Sequence, residues 1–549
     1  MKTTVGDYLI DSLKEYGVKH IFGVPGDYNL SFLDQIDDSE DIEWIGNCNE
    51  LNASYAADGY GRIKGMAAIA TTFGVGELSA VNGIAGSYAE NVPVVKIVGI
   101  PSSKVVENRK LVHHTLGDGE FYRFNEMFKE VSVAQTILNE INAKEEIDRV
   151  LRECYLYKKP VYIGMPVDLA TKVINVSEKT SYNLESDKNS LNNFISNVKS
   201  LMSNSKKQMI LADFEVNRYN LNKELQEFVE ASNLPVSSLA MGKGVIDETH
   251  PNFVGVYSGS LSNENITNLV KSCDLAFLIG VKLTDSITAG FSYINKNITL
   301  IEVHPLYCRI GENLFSNILM KDALESLKNL NIEFSKNDTP HVSLINNFEA
   351  INTPLTQKRF FQGIESFLNE NDILIAEQGT SFFGSCLVNM KKGCTFVGQP
   401  LWGSIGYTVG ALLGTQIADR NRRNILLVGD GSFQLTAQEV STMIRENLSP
   451  IIMVINNDGY TVERLIHGPN RKYNDINMWD YSKLVSVFDL EGNRSISFKA
   501  KTEIELMNAL KEADNNRDKL TFIEVCMDKM DSPQLLKDLG ELFSKQNSY

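Results

Sequence analysis

Short apolar runs that stop at a glycine or a polar turn recur along the whole chain. They include His20-Ile-Phe-Gly-Val-Pro-Gly, Val94-Val-Lys-Ile-Val-Gly, Val161-Tyr-Ile-Gly-Met-Pro, Leu275-Ala-Phe-Leu-Ile-Gly, Ile373-Leu-Ile-Ala-Glu-Gln-Gly and Ile425-Leu-Leu-Val-Gly. Helical patterns lie between them, for example Val5 to Tyr16, Asn52 to Arg62 and Glu145 to Tyr157. Strands that alternate with helices specify parallel sheets covered on both faces. The 549 residues are too many for one core, so three domains of about 150 to 200 residues are expected. Two polar stretches without periodicity, Lys172 to Asn192 and Phe334 to Pro354, read as linkers and divide the chain at 1–175, 193–335 and 355–549. The expected fold class is α/β, with three consecutive doubly wound parallel-sheet domains.

The charge balance narrows the partners. With 53 basic and 69 acidic residues the net charge is −16, which argues against nucleic acid, whose affinity rests on basic contacts to phosphate. An anionic small substrate stays possible, because a local cluster of donors outweighs distant surface charge. Seven scattered cysteines without a CxxC fit reduced thiols in a cytoplasm rather than a disulfide framework or zinc site. The N-terminus runs into an amphipathic helix without an apolar signal core. No apolar run approaches the roughly 20 residues of a membrane span. A cytoplasmic location without membrane contact is expected.

One pair of turns carries specific chemistry. Asn424-Ile-Leu-Leu-Val-Gly429-Asp430-Gly431 is followed, after twenty-four residues, by Asn456-Asn457-Asp458-Gly459. The first reads as a buried strand whose final turn lets a ligand approach the backbone. A helix over Ala437 to Glu446 and a second strand over Pro450 to Ile455 would return both turns to one sheet edge, where α/β proteins bind ligands. There Asp430, the Asn457 side chain and the Gly459 carbonyl offer three hard oxygens, suited to a Mg²⁺ that keeps places for phosphate oxygens.

Other candidates have plainer readings beside functional ones. Glu50 opens a helix at Asn49-Glu-Leu-Asn-Ala; a first-turn glutamate is favoured by the helix dipole, or its carboxyl exchanges a proton with a bound heterocycle. His113 and His114 are adjacent in a chain with only seven histidines; they suit a solvated loop or a proton relay. Asp27 follows the first strand and is equally a turn aspartate. Glu463 lies six residues beyond Asn457, so chain reach alone holds it within about 20 Å of any metal there.

Together these motifs resemble those of the thiamin-diphosphate-dependent 2-keto acid decarboxylases, the pyruvate, indolepyruvate and branched-chain keto acid decarboxylase group. The likeness runs from Val5 to Phe543 through Phe22-Gly-Val-Pro-Gly-Asp27-Tyr-Asn, Asn49-Glu50-Leu-Asn-Ala, Thr72-Phe-Gly-Val-Gly-Glu-Leu-Ser-Ala, Val112-His113-His114-Thr, Glu377-Gln-Gly-Thr-Ser, Gln399-Pro-Leu-Trp-Gly-Ser-Ile405-Gly-Tyr and Asn457-Asp-Gly-Tyr-Thr-Val-Glu463. The resemblance implies a pyrimidine-binding domain, a central domain and a diphosphate- and Mg²⁺-binding domain of the thiamin-diphosphate-binding fold. It implies a homodimer as minimal active unit, with the cofactor between two subunits, and a homotetramer as the usual assembly. The implied reaction is non-oxidative decarboxylation of a 2-keto acid to an aldehyde and CO₂ through the thiamin diphosphate ylid.

The resemblance also assigns residues. Glu50 would bond the pyrimidine ring nitrogen, the Gly403 carbonyl would accept from the 4′-amino group, and Ile405 would wedge beneath the cofactor. Gly429, Gly431 and Ser432 would meet the diphosphate, with Asp430, Asn457 and Gly459 on Mg²⁺. Asp27, His113, His114 and Glu463 would surround the reacting carbon. Gln378, Phe382, Phe383, Val462, Ile287, Leu539 and Phe543 would line the substrate pocket, leaving room for branched aliphatic or aryl side chains. Carboligation of the acetolactate synthase type, on the same cofactor and fold, is the alternative.

Overall fold

Three large sheets follow one another along the chain in a computed structural model that describes residues 2–176, 184–292, 298–330 and 347–546. The first and last are six-stranded and wholly parallel. In space the first runs Glu43–Gly46, His20–Gly23, Ala67–Thr72, Val94–Ile100, Val161–Pro166, Ala134–Ile137. The last runs Thr395–Val397, Ile373–Ala376, Asn424–Gly429, Ile451–Asn456, Leu520–Cys526, Ser495–Ala500. The chain therefore visits both sheets in the same sequence of places. In each, the first strand is flanked by the second on one side and the third on the other, so the connections diverge there. Such a switch point opens a crevice at the carboxyl ends of the strands.

The middle sheet has seven strands. Phe253–Tyr257, Val236–Leu239, Gln208–Ala212, Leu275–Ile279 and Thr299–His304 are parallel neighbours. Tyr307–Ile310 and Asn313–Ser316 then extend it as an antiparallel meander. The linker expected over Lys172 to Asn192 is ordered at both ends, which corrects the sequence reading. Val173–Asn175 pairs antiparallel with Lys2–Thr4, and the helix Lys188–Asn204 starts inside the stretch, capped by the Asp187 side chain on the Ser190 amide. Three residues are too few to show a strand period, and here burial of Ile174 supplies the drive. Residues 177–183 and 331–346, which include parts of both expected linkers, lie outside the described residues. The helix expected at Ala437 to Glu446 is present as Glu439–Arg445, and a further helix, Asp430–Thr436, precedes it.

First and last domains meet through helices Glu50–Lys64 and Tyr407–Ala418. Their glycines let backbones touch: a Cβ on Gly414 would lie 1.9 Å from the Ala56 carbonyl oxygen, and one on Gly59 2.3 Å from that of Ala411. A buried ionic cluster crosses the same seam. Arg62 reaches Asp58 at 2.6 Å, Glu90 at 2.8 Å and the Gly398 carbonyl at 2.9 Å. The Tyr407 hydroxyl donates to Asp58 at 2.5 Å. Satisfied partners on every side are what make buried charges tolerable.

Candidate functional site

The carboxyl edge of the first sheet gathers four of the sequence candidates. Asp27 follows the strand His20–Gly23, and Glu50 follows Glu43–Gly46. Asn49 caps the Glu50 helix by accepting from the Asn52 amide at 2.8 Å. Glu50 is half-buried, its carboxyl facing the turn after Ala67–Thr72: a Cβ on Gly76 would sit 3.0 Å from Glu50 Oε1. His113 Nε2 lies 2.6 Å from Asp27 Oδ2, and His114 Nε2 3.6 Å from Asp27 Oδ1. The Tyr28 ring stacks on His113 with centroids 5.0 Å apart. His114 adopts a left-handed backbone, φ 59°, and its carbonyl packs so closely on Gly74 that any Cβ there would clash at 2.0 Å. Asp27 and His113 remain open, with side chains 47% and 61% exposed. The three side chains also lie close enough for a metal, but the Asp27–His113 hydrogen bond with the His114 ring beside it serves proton transfer equally.

The last sheet carries the other half at the corresponding edge. Asp430, buried at 1% exposure, begins its helix directly after the strand Asn424–Gly429. Its Oδ2 accepts from the amides of Asn457 at 3.2 Å and Gly459 at 3.1 Å, tying the two turns together. Burial pushes its pKa up to about 6, against the pull of those amides. Asn457 is buried, Ser432 is buried, and Gly459 has φ 110°. A Cβ on Gly429 or Gly403 would meet nothing within 4 Å, so the backbone there faces open space. Ile405 stands beside it with 37% exposure, unusual for so large an apolar side chain. Gly431 lies under the Tyr460 ring. Glu463, in the helix Thr461–His467, is exposed as a residue, yet neighbouring protein takes enough water from its carboxyl to raise its pKa.

The pocket candidates converge from two domains. Ile287 of the middle domain, Phe383 and Leu539 line one small gap, with Leu535 and Ala240. Val462 and Phe543 pack against the same apolar cluster. Phe382 turns inward, 5.7 Å from the Phe396 ring. Gln378 is half-buried and its Oε1 lacks a hydrogen-bond partner. A cleft of about 960 Å³ lies elsewhere, between the helices Val5–Glu15 and Ala143–Tyr157 and the middle domain. It contains none of these residues.

Several residues here, two of them inside motifs quoted above, had no role assigned from the sequence. Glu377, fully buried, accepts from the Gly406 and Thr408 amides, the Thr408 hydroxyl and the Gln378 amide, and so holds the turn behind Ile405. Burial still lifts its pKa to about 7. Ser404 is fixed from the first domain by Tyr55 at 2.6 Å and Asn82 at 2.9 Å. Glu439 accepts from Asn47 and Asn52, joining the Glu50 turn to the last domain. The Ser404 and Glu439 contacts join residues more than 300 positions apart and leave no local pattern.

Two matching sheet edges, one glycine-lined with a buried acid and one bearing Glu50 and the Asp27–histidine cluster, define a three-domain cofactor-dependent enzyme. Models of thiamine pyrophosphate enzymes match the chain three times: the N-terminal TPP binding domain over residues 3–121, the central domain over 195–330 and the C-terminal TPP binding domain over 379–525. An alpha-keto-acid decarboxylase of Mycobacterium leprae is 41% identical over 543 residues, covering 98% of this chain and 95% of the relative. Pyruvate decarboxylase of Candida albicans is 41% identical over 562 residues, covering 99% of each chain. Pyruvate decarboxylase isozyme 3 of Saccharomyces cerevisiae is 40% identical over 563 residues, again with 99% of each chain. The chain belongs to the thiamine-pyrophosphate-dependent 2-keto acid decarboxylases.

Proposed function

We propose that the protein converts a 2-keto acid to the aldehyde and CO₂ without oxidation, using thiamin diphosphate bound through Mg²⁺. The observation that carries this reading is the pairing of an open glycine edge beside buried Asp430 with an Asp27–His113 hydrogen bond beside Glu50. The residues present fit the cofactor. Gly403 and Gly429 leave space for it, Thr72 Oγ1 and Gln378 Oε1 are buried without partners, and Asp430, the Asn457 amide and the Gly459 carbonyl form a hard-oxygen set suited to Mg²⁺. Gly431 and Ser432 border that set.

When bound, thiamin diphosphate supplies the electron sink that lets CO₂ leave. Glu50 holds a proton at the pyrimidine ring nitrogen, and the Gly403 carbonyl orients the amino group. Ile405, exposed beside Gly403, would wedge beneath the cofactor and exclude water. Asp27, His113, His114 and Glu463 move protons to and from the reacting carbon as one coupled set. Gln378, Phe383, Val462, Ile287, Leu539 and Phe543 accept the substrate side chain, with the fully buried Phe382 supporting them rather than facing it. An apolar wall of this kind discriminates by only about 1–3 kcal/mol per methylene or two, so branched-chain, aryl and indole keto acids fit beside pyruvate.

The reading extends to the assembly. The domains divide at 1–175, 193–335 and 355–549, and the site forms between the first domain of one subunit and the last of its partner, in a homodimer that pairs to a homotetramer in the cytoplasm. In support, the Glu50 turn meets its own last domain at Glu439 rather than at Asp430. Among the described residues no helix is long and apolar enough to cross a membrane.

Carboligation to acetolactate is the competing outcome; the Asp27–His113 pair favours proton delivery instead. Purified protein is incubated with pyruvate, indolepyruvate, phenylpyruvate and a branched-chain keto acid, and aldehyde and acetolactate are measured. Aldehyde is the expected main product, lost when cofactor and Mg²⁺ are removed and restored when both return. Acetolactate as main product, or turnover indifferent to the cofactor, overturns the proposal.

A further inference from the structure

Lys96 is a lone charge in the strand Val94–Ile100, and its side chain is fully buried. Its ammonium donates one hydrogen bond, to Thr71 Oγ1 at 2.5 Å. Among the described residues no carboxylate comes within 4.0 Å of it. A buried cation so sparsely satisfied is costly to fold around, and it stands beneath the turn that faces Glu50. In the sheet it neighbours Tyr162, one strand over. The Tyr162 hydroxyl donates to Glu77 at 3.0 Å, and the other Glu77 oxygen accepts from the Gly74 amide at 2.8 Å. Thr71 and Glu77 thus bracket the turn on both sides. That turn touches two candidates at once: Gly76 abuts the Glu50 carboxyl, and Gly74 abuts the His114 carbonyl.

Charge acts in the same place. Burial drives Lys96 well below the ordinary lysine range, while the fields of Glu77 and Glu50 pull it back up. Burial also drives Glu77 up. Both carboxylates therefore feel the Lys96 charge, through low-dielectric protein where it is poorly screened.

We propose that Lys96, with Glu77, is a positioning pair that acts through the 71–77 turn on Glu50 and the His113–His114 loop. The inference rests on the Glu50 role proposed above and names the residues that hold that carboxyl in place. A residue that merely fills the core would lower stability and activity together. A buried charge kept for positioning behaves differently, because removing it relieves a desolvation cost while disturbing the site.

The test is Lys96→Met, with Thr71→Val as the milder companion that keeps the amine but deletes its bond. Thermal midpoint, thiamin diphosphate affinity, H/D exchange at C2 of the bound cofactor, and kcat and KM are measured. Lys96→Met is expected to keep or raise the midpoint and to bind cofactor near-normally. C2 exchange and kcat should both fall by roughly tenfold or more, with KM little changed. Thr71→Val should move exchange and kcat the same way by less. Wild-type exchange in folded, cofactor-loaded Lys96→Met, or in Thr71→Val should the first variant not fold, overturns the inference. Glu50→Gln run alongside separates the two proposals: normal exchange in that variant sinks the Glu50 role itself, whereas impaired Glu50→Gln beside normal Lys96→Met sinks only this one.

Discussion

Glu50 and Asp430 are two carboxylates in different surroundings, and the difference sorts their tasks. Asp430 is buried and receives three backbone amides, its own neighbour's among them, a fixed orientation that suits the cation proposed there. Asp430→Ala should fold, because the two turns keep their glycines, yet lose Mg²⁺ and cofactor affinity by about 10- to 100-fold; titration by intrinsic fluorescence reads it. Glu50 is half-buried against a glycine turn, which suits the proposed contact with a ring. Glu50→Gln should bind cofactor and slow C2 deprotonation by about 10²-fold or more, measured by quenched-flow exchange. His20 gives a pH test of the local packing. Burial lowers its pKa to about 4, below the value of about 6.5 in an unfolded chain. The unfolded state therefore takes the proton first, and the contribution of His20 is intact above pH 6.5 and lost as pH falls to 4. Urea titrations of wild type and His20→Gln across that window should show the variant losing less stability.

Elements that could be read in the sequence were those whose strands are buried on both faces. Val94–Ile100, Val161–Pro166 and Asn424–Gly429 announce themselves as continuous apolar runs, and the turn chemistry after Gly429 follows from glycine and hard oxygens. Lys2–Thr4 with Val173–Asn175 was missed because each is three residues long. The meander of Tyr307–Ile310 and Asn313–Ser316 was missed because each strand is only four residues long and Asn313–Ser316 buries a single position, too little to show a period of two. Lys96 was visible as a charge inside an apolar run, a pattern that signals a paired or functional buried group. The helix crossing at Gly59 and Gly414 could not be foreseen, since it depends on two segments meeting across 350 residues of chain. It makes a sharp prediction: Gly414→Ala must push the helices apart and should cost about 1–3 kcal/mol, read by thermal or urea unfolding.

The whole molecule repeats one parallel sheet at each end of the chain and uses the same edge of each. In the proposed function neither edge is sufficient: one has the acid–histidine cluster and Glu50, the other the proposed metal-binding set and Ile405. The account rests on these halves being joined between subunits, which a subunit-mixing experiment measures directly. Glu50→Gln and Asp430→Ala are each expected to be nearly inactive. When the two are dissociated together and reassembled, half the dimers are mixed, and each mixed dimer has one site with both residues intact. Activity should then recover to roughly a quarter of wild type, as two-fold symmetry requires. No recovery from a mixture shown by native mass spectrometry to contain heterodimers would contradict the account.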